Sequence, residues 1–108
     1  MRWSVETLNP MVDQELAALP VDLRARFGRL ALLIEDVGLE RVREPHVRHL
    51  EGPLWELRLQ GKNRIARALY VTASGRRVVV VRVFIKKTQA TARREIDLAL
   101  KRAKEIRR

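Results

Sequence analysis

The sequence predicts an α+β domain in which an N-terminal strand and a helical hairpin pack on an antiparallel sheet and a last helix closes the chain. Three observations carry this. Apolar residues recur at helical spacing only between residues 11 and 37 and again after Thr91; the stretch from 47 to 85 breaks into four short apolar runs; and Gly or Pro stands between the runs. At 108 residues and 46% hydrophobic composition, residues 1–108 form one domain with enough apolar surface to fold alone.

Taken in order, residues 3–8 read as a strand with Trp3, Val5 and Thr7 on one side, ending at Asn9-Pro10. Residues 11–19 form a short helix stopped by Pro20. From Val21 onward Leu23, Phe27, Leu30, Leu33, Ile34 and Val37 line a second helix until Gly38 ends it. After a break at Glu44-Pro45, runs at 47–50, 54–59, 65–71 and 78–85 make an antiparallel meander punctuated by Gly52-Pro53, Gly61-Lys62-Asn63 and Ser74-Gly75. Beyond Thr91, Ile96, Ala99, Leu100, Ala103 and Ile106 share one helical face, with basic residues elsewhere. The order read is β-α-α-β-β-β-α.

Charge is uneven. Residues 1–40 hold 4 Lys or Arg against 7 Asp or Glu, residues 41–85 hold 10 against 3, and residues 86–108 hold 9 against 3. No linker or repeat separates these regions, so they are faces of one domain, with the working surface expected after residue 40. A net charge of +10 steers polyanions to the surface, and nucleic acid is the leading partner. The absence of cysteine excludes a disulfide framework, a thiol nucleophile and Cys-ligated metals. The opening residues lack a signal-type apolar run, and the longest apolar stretches, residues 30–34 and 78–81, fall far short of the ~20 residues a membrane helix needs. A cytoplasmic protein without membrane attachment is expected.

Walker, dinucleotide, zinc-hydrolase and serine-elbow motifs are missing, and no cofactor or metal is expected. Five aromatic residues, several of them needed in the core, do not make a stacking platform for several bases, so a grip on RNA must rely on charge. Strand alternation puts Trp55, Leu57 and Leu59 on one face and Glu56 and Arg58 on the other. Arg67 has the parity of Ile65, Leu69 and Val71, so a guanidinium falls where a core side chain belongs. Two readings stay open: it reaches a phosphate at the sheet rim, or it is an edge-strand arginine snorkelling to Glu56 or Glu51. Lys86 and Lys87 follow the most hydrophobic strand, where they are either charge held at a cleft edge or solvated lysines. His46 and His49 offer acid–base chemistry near neutral pH, His49 with Glu51 or Glu56, or are ordinary surface groups. Tyr70 is a core residue or a base-stacking ring, and Trp55 is assigned to the core.

HVRHLEGPLWELR, NRIARALY and VFIKKTQATARREIDLA, with VETLNPMVDQELAALP and LLIEDVGL before them, resemble the HigB-like, phage-derived branch of the RelE/ParE toxin superfamily over nearly the whole chain. The resemblance implies a RelE-like, microbial RNase-like fold and the toxin of a type II toxin–antitoxin pair. Such a toxin is an mRNA endonuclease working in the ribosomal decoding site, with the ribosome, mRNA and a HigA-like helix-turn-helix antitoxin as partners. Carried over by position, it implies Arg58, Arg67, Lys86 and Lys87 as the catalytic set. Arg48, His49, Lys62, Arg64, Tyr70 and Arg82 are the further RNA contacts expected. The chain departs from the family pattern at Ala66, where Tyr is frequent, at Arg82, where His is common, and at Ala92, where Pro often opens the last helix.

RNA carries its own nucleophile, the 2′-hydroxyl, so cleavage asks of the protein only proton transfer and stabilisation of extra phosphate charge. Arginine forks suit the second task, and a lysine whose pKa is lowered by neighbouring cations suits the first. The competing readings are a non-enzymatic toxin of the same fold that poisons DNA gyrase, and a generic RNA- or ribosome-binding protein.

Overall fold

The first strand, β1 (Ser4–Thr7), leads through Asn9 into α1 (Pro10–Ala17) and α2 (Val21–Val37). Asn9 caps α1, its side chain accepting from the Val12 amide at 3.1 Å, and Pro10 supplies a pre-set first helical residue. Gly38, at φ +95°, ends α2 in a conformation that strains any residue with a Cβ. One 3₁₀ turn, Leu39–Arg41, precedes β2 (Val47–Glu51), β3 (Leu54–Gln60), β4 (Ile65–Ala73) and β5 (Arg77–Ile85), and α3 (Arg93–Ala103) follows. The computed structural model describes residues 2–43 and 45–106, so the Glu44 half of the expected break lies outside the described residues.

The α+β architecture is the expected one, with one more strand than the β-α-α-β-β-β-α order, because each of the four apolar runs pairs separately. The sheet order is β1-β5-β4-β3-β2. The last four strands form the antiparallel meander, whereas β1 joins β5 in parallel, Ser4 opposite Arg77 and Thr7 opposite Val80, making the sheet mixed. Pattern alone reveals a strand but not its direction.

One face of the sheet presents Leu57, Leu59, Ala68, Tyr70, Val78 and Val80 to α1 and α2, which return Val12, Leu23, Leu30 and Ile34. The other presents Leu54, Leu69, Val71, Val79 and Val81 to Ala99 and Ala103 of α3. The packed stripe of α2 is narrower than expected. Leu33 lies off the stripe of Leu23, Leu30 and Ile34, Val37 is the last residue of the helix, and both stay exposed. Trp55 is likewise not a core residue: it shares the face of Leu57 but lies past the helical layer, 37% exposed, its ring 4.9 Å from that of His49. α3 begins at Arg93, with Ala92 as an N-cap that offers no side-chain hydrogen bond.

A register shift between β4 and β5 decides which side chains of β5 face α3. Leu69 pairs with Arg82 but Tyr70 pairs with Val80, so Val81 is an extra residue and both Val81 and Arg82 point to the α3 side. From there on, Arg82 and Phe84 share the α3 face and Val83 joins the other core.

Two contacts seal the layers. Gly61 lets the β3–β4 turn close on α2: a Cβ there would meet Asp22 Oδ2 and Leu23 Cδ2 at 2.6 Å each, and the Lys62 amide donates to Asp22 Oδ2 at 2.9 Å. That hydrogen bond, more than any other cause, holds the Asp22 carboxyl below its ordinary pKa. Past the end of β1, Glu15 of α1 accepts from the Val83 amide at 3.1 Å and pairs with Arg102 at 2.9 Å and Arg82 at 3.0 Å, while Arg102 also donates to the Val81 carbonyl at 2.9 Å. Gly61→Ala should therefore lower stability by about 2 kcal/mol and Tm by roughly 10 °C, read in a thermal melt. Glu15→Ala, which leaves the buried Arg102 charge short of its carboxylate, should cost about 3 kcal/mol, read as a lower denaturation midpoint at unchanged slope.

Candidate active site

Arg58 and Arg67 stand directly opposite each other on β3 and β4, on the α3 face of the sheet. Alternation along LWELRLQ and IARALYVTA puts them there, beyond the aliphatic patch of Leu54, Leu69 and Val71. Arg67 belongs to the central strand, not to an edge, and is only 5% exposed. Its guanidinium does not snorkel to solvent but is held in place. Nη1 donates to the Thr91 hydroxyl, Nη2 donates to the Gln89 carbonyl at 2.6 Å, and the Glu56 carboxylate lies 3.6 Å from Nη1. Thr91 in turn donates to Glu56 Oε1 at 2.7 Å. Glu56 is 3% exposed, so an ion pair sits almost dry in the sheet, with Arg67 Nε buried and unpartnered.

Arg58 is the counterpart in every respect. It is half-buried, and its side chain makes no hydrogen bond or ion pair among the described residues. Arg48 pairs with Glu56 across β2 and β3 and so shares this face. Lys86 continues the β5 ladder, its amide donating to the Ile65 carbonyl at 2.8 Å, and its Nζ donates to Gln89 Oε1 at 3.4 Å. The extra residue at Val81 gives Lys86 its place: unbroken alternation would turn it to the helical hairpin, and the bulge turns it to Arg67. Burial lowers its ammonium pKa first, the Arg67 and Arg58 charges lower it further, and Glu56 offsets part of this. Desolvation is thus the largest single cause, with the cation effect expected from the sequence acting beside it.

Arg48, Arg58, Arg67 and Lys86, with Glu56 and Gln89, line one cleft of about 310 Å³. Lys62, Arg64 and Lys87 do not enter it; they border an adjoining open depression that Lys86 also lines. Three expected RNA contacts are placed elsewhere or committed. His49 faces the opposite side, where Nε2 bonds the Gly52 carbonyl at 2.8 Å, because its neighbour Arg48 takes the cleft side of β2. It forms no pair with Glu56, and Glu51 is taken by Arg93 at 2.6 Å. Tyr70 is 1% exposed in the core under α2, where burial pushes its hydroxyl pKa well up, and no base can reach its ring. Arg82 lies 5.5 Å over the Phe84 ring with its nitrogens bound to Glu95 at 2.7 and 3.1 Å and to Glu15, which makes it a clamp between α1, β5 and α3.

The residues that sequence reasoning missed are Thr91 and Gln89, which stand on the connection into α3 and carry no periodic signal. Glu56 appeared as a possible partner of Arg67 or of His49, and the pairing with Arg67 is the one present. Among the described residues no three His, Asp or Glu side chains gather as a metal would require. Chemically, the cleft offers two reachable guanidiniums, Arg48 and Arg58, one fixed guanidinium, Arg67, and an amine that gives up its proton more readily than an ordinary lysine.

The family described as phage derived protein Gp49-like matches residues 14–104. No curated protein sequence matches the chain. Among solved structures, a double-arginine mutant of the toxin RelE from E. coli, in the free state, superposes with a TM-score of 0.66 at 18% identity, covering 94% of this chain and 98% of that one. RelE in the RelE–RelB complex of Pyrococcus horikoshii OT3 gives 0.58 at 21% identity, covering 83% of this chain and all of that one. The resemblance read from the sequence thus holds for the phage-derived family and for the fold: the chain belongs to the phage-derived Gp49-like proteins and is built on the RelE fold.

Proposed function

We propose that this protein is the toxin of a type II toxin–antitoxin pair and acts as a ribosome-dependent endonuclease of mRNA. One observation carries the reading: an Arg58 without a partner among the described residues, a pre-oriented Arg67 and a Lys86 of lowered pKa meet in one cleft. Family membership and the shared RelE fold support it, and the match to a RelE bound to RelB supports a protein partner. That partner is an antitoxin of the HigA-like, helix-turn-helix kind, and the site of action is the cytoplasm.

The reaction follows from the groups present. The 2′-oxygen of one ribose attacks its own 3′-phosphorus while the O5′–P bond breaks, leaving a 2′,3′-cyclic phosphate and a 5′-hydroxyl. Lys86, as the neutral amine, takes the 2′-hydroxyl proton, and the departing 5′-oxygen takes a proton from water. Arg58 binds the non-bridging oxygens as their charge grows, and Arg67, locked by Glu56 and Thr91, adds a fixed positive charge that needs no reorganisation. Lys87, one residue on and exposed, lies at the cleft edge, where it meets a flanking phosphate.

The test is a reconstituted translation reaction with purified ribosomes and one defined mRNA, with new RNA ends mapped. Wild type should cut within the ribosomal A-site codon only during translation, and Arg58→Ala should cut about 10²–10³-fold more slowly at unchanged stability. Intact mRNA with wild type overturns the reading. Arg58 is a cleaner probe than Arg67, whose removal strands the buried Glu56 charge. The rate should also rise with pH and level off below the ordinary lysine value of 10.5, because Lys86 must lose its proton to act and its pKa is lowered. Lys86→Ala should abolish that rising limb in single-turnover pH profiles.

A further inference from the structure

Beyond Arg58, a second depression of about 280 Å³ adjoins the cleft. Arg26 of α2, Pro45 and His46 ahead of β2, and Arg58 and Gln60 of β3 form its wall. It shares Pro45 and Arg58 with the cleft, so the two are successive stations on one surface with Arg58 between them. Among the described residues the wall holds two guanidiniums and an imidazole and no carboxylate.

Arg2, Arg77, Arg82, Arg93 and Arg102 each meet a carboxylate at 3.0 Å or closer, whereas Arg26 and Arg58 meet none among the described residues. Asp22, one turn before Arg26 on α2, turns instead to the Lys62 amide. Arg26 is steadied by its Nε, which donates to the Gln60 carbonyl at 3.4 Å, and its terminal nitrogens have no partner among the described residues. The wall opposite is tied down as well, since the Arg58 amide donates to the His46 carbonyl at 2.8 Å. Two guanidiniums, that of Arg26 steadied through Nε and that of Arg58 free of side-chain bonds, thus face one depression with no carboxylate partner among the described residues, and phosphate oxygens match their fork geometry.

We propose that this depression is a second phosphate subsite, which takes the backbone phosphate of the nucleotide next to the one cleaved, with Arg26 as its principal donor and Pro45 and His46 as the wall against the sugar or base. The proposal rests on the endonuclease reading and deepens it. By holding the strand on one side of Arg58 while the cleft holds it on the other, the subsite aligns the 2′-oxygen with the phosphorus it attacks.

The experiment measures binding of a single-stranded 2′-O-methyl RNA, which cannot be cut, by wild type, Arg26→Ala, Arg26→Lys and Arg29→Ala across a salt series. KM and kcat are measured in parallel in the ribosome reaction. Arg29 is an exposed cation of the same helix that borders neither depression. Losing one phosphate contact should flatten the slope of log K against log salt by about 0.7 in Arg26→Ala, with Arg26→Lys recovering most of it and Arg29→Ala unchanged. In the ribosome reaction Arg26→Ala should raise KM several-fold with a smaller change in kcat and the same cut position. An unchanged slope and KM in Arg26→Ala, or an equal loss in Arg29→Ala, overturns the subsite while a cutting wild type keeps the endonuclease reading. A wild type that neither binds nor cuts overturns both.

Discussion

A positive charge in the middle of the sheet is the constraint around which the rest of this molecule is arranged. Arg67 lies on the central strand with almost no access to water, and an isolated guanidinium in that position would be very costly. Its solvation is rebuilt from three directions: a carboxylate from β3, a hydroxyl from the connection into α3, and a carbonyl from the same connection. The arrangement ties the segment between β5 and α3 to the sheet, so the last helix is docked at its leading end by polar contacts and along its length by Ala99 and Ala103. Replacing such a pair by hydrocarbon is often neutral or favourable for stability, so the pair is not there for stability alone.

The two faces of the sheet divide the work. Under α1 and α2 the packing is aliphatic and closed, with Tyr70 as its largest fully buried side chain. Under α3 the aliphatic patch gives way to charge toward the end where β3, β4 and β5 present Arg58, Arg67 and Lys86. Fixed cations on rigid strands hold their geometry before any ligand arrives, which is the condition under which electrostatic stabilisation of a transition state is most effective. The carboxylates are spent mostly away from this end: Glu15 and Glu95 on Arg82 and Arg102, Glu51 on Arg93. The cleft is left strongly positive as a result.

Strand parity made part of this legible in advance. Alternation set Arg58 apart from Leu57 and Leu59, and the misfit of Arg67 among Leu69 and Val71 marked the place that needed a partner; that the two arginines share one face follows only from the register of β3 on β4. Lys86 was readable only as a residue following a strand. Its face depends on the extra residue at Val81, and a run of valines gives no hint of where a bulge falls. Tyr70 and His49 show the same limit from the other side. Each is one residue from a residue of the α3 face, Leu69 and Arg48, and a one-residue step moves a side chain through the sheet. Thr91 and Gln89 were invisible for a different reason: connections have no period, and their contacts are set by three-dimensional closure.

The parallel seat of β1 has a consequence for how the protein comes into being. Ser4 must find Arg77, so the strand made first has no ladder until the last strand exists, and the helical hairpin between them has only a partial sheet to cover. Contacts spanning such long stretches of chain close slowly, because the loop entropy is lost before the pairing gain arrives. The nascent chain therefore stays without its finished sheet, and without a rigid seat for Lys86 at the end of β5, until that strand has been synthesised. A partner able to bind the early helices would meet them before any cleft exists.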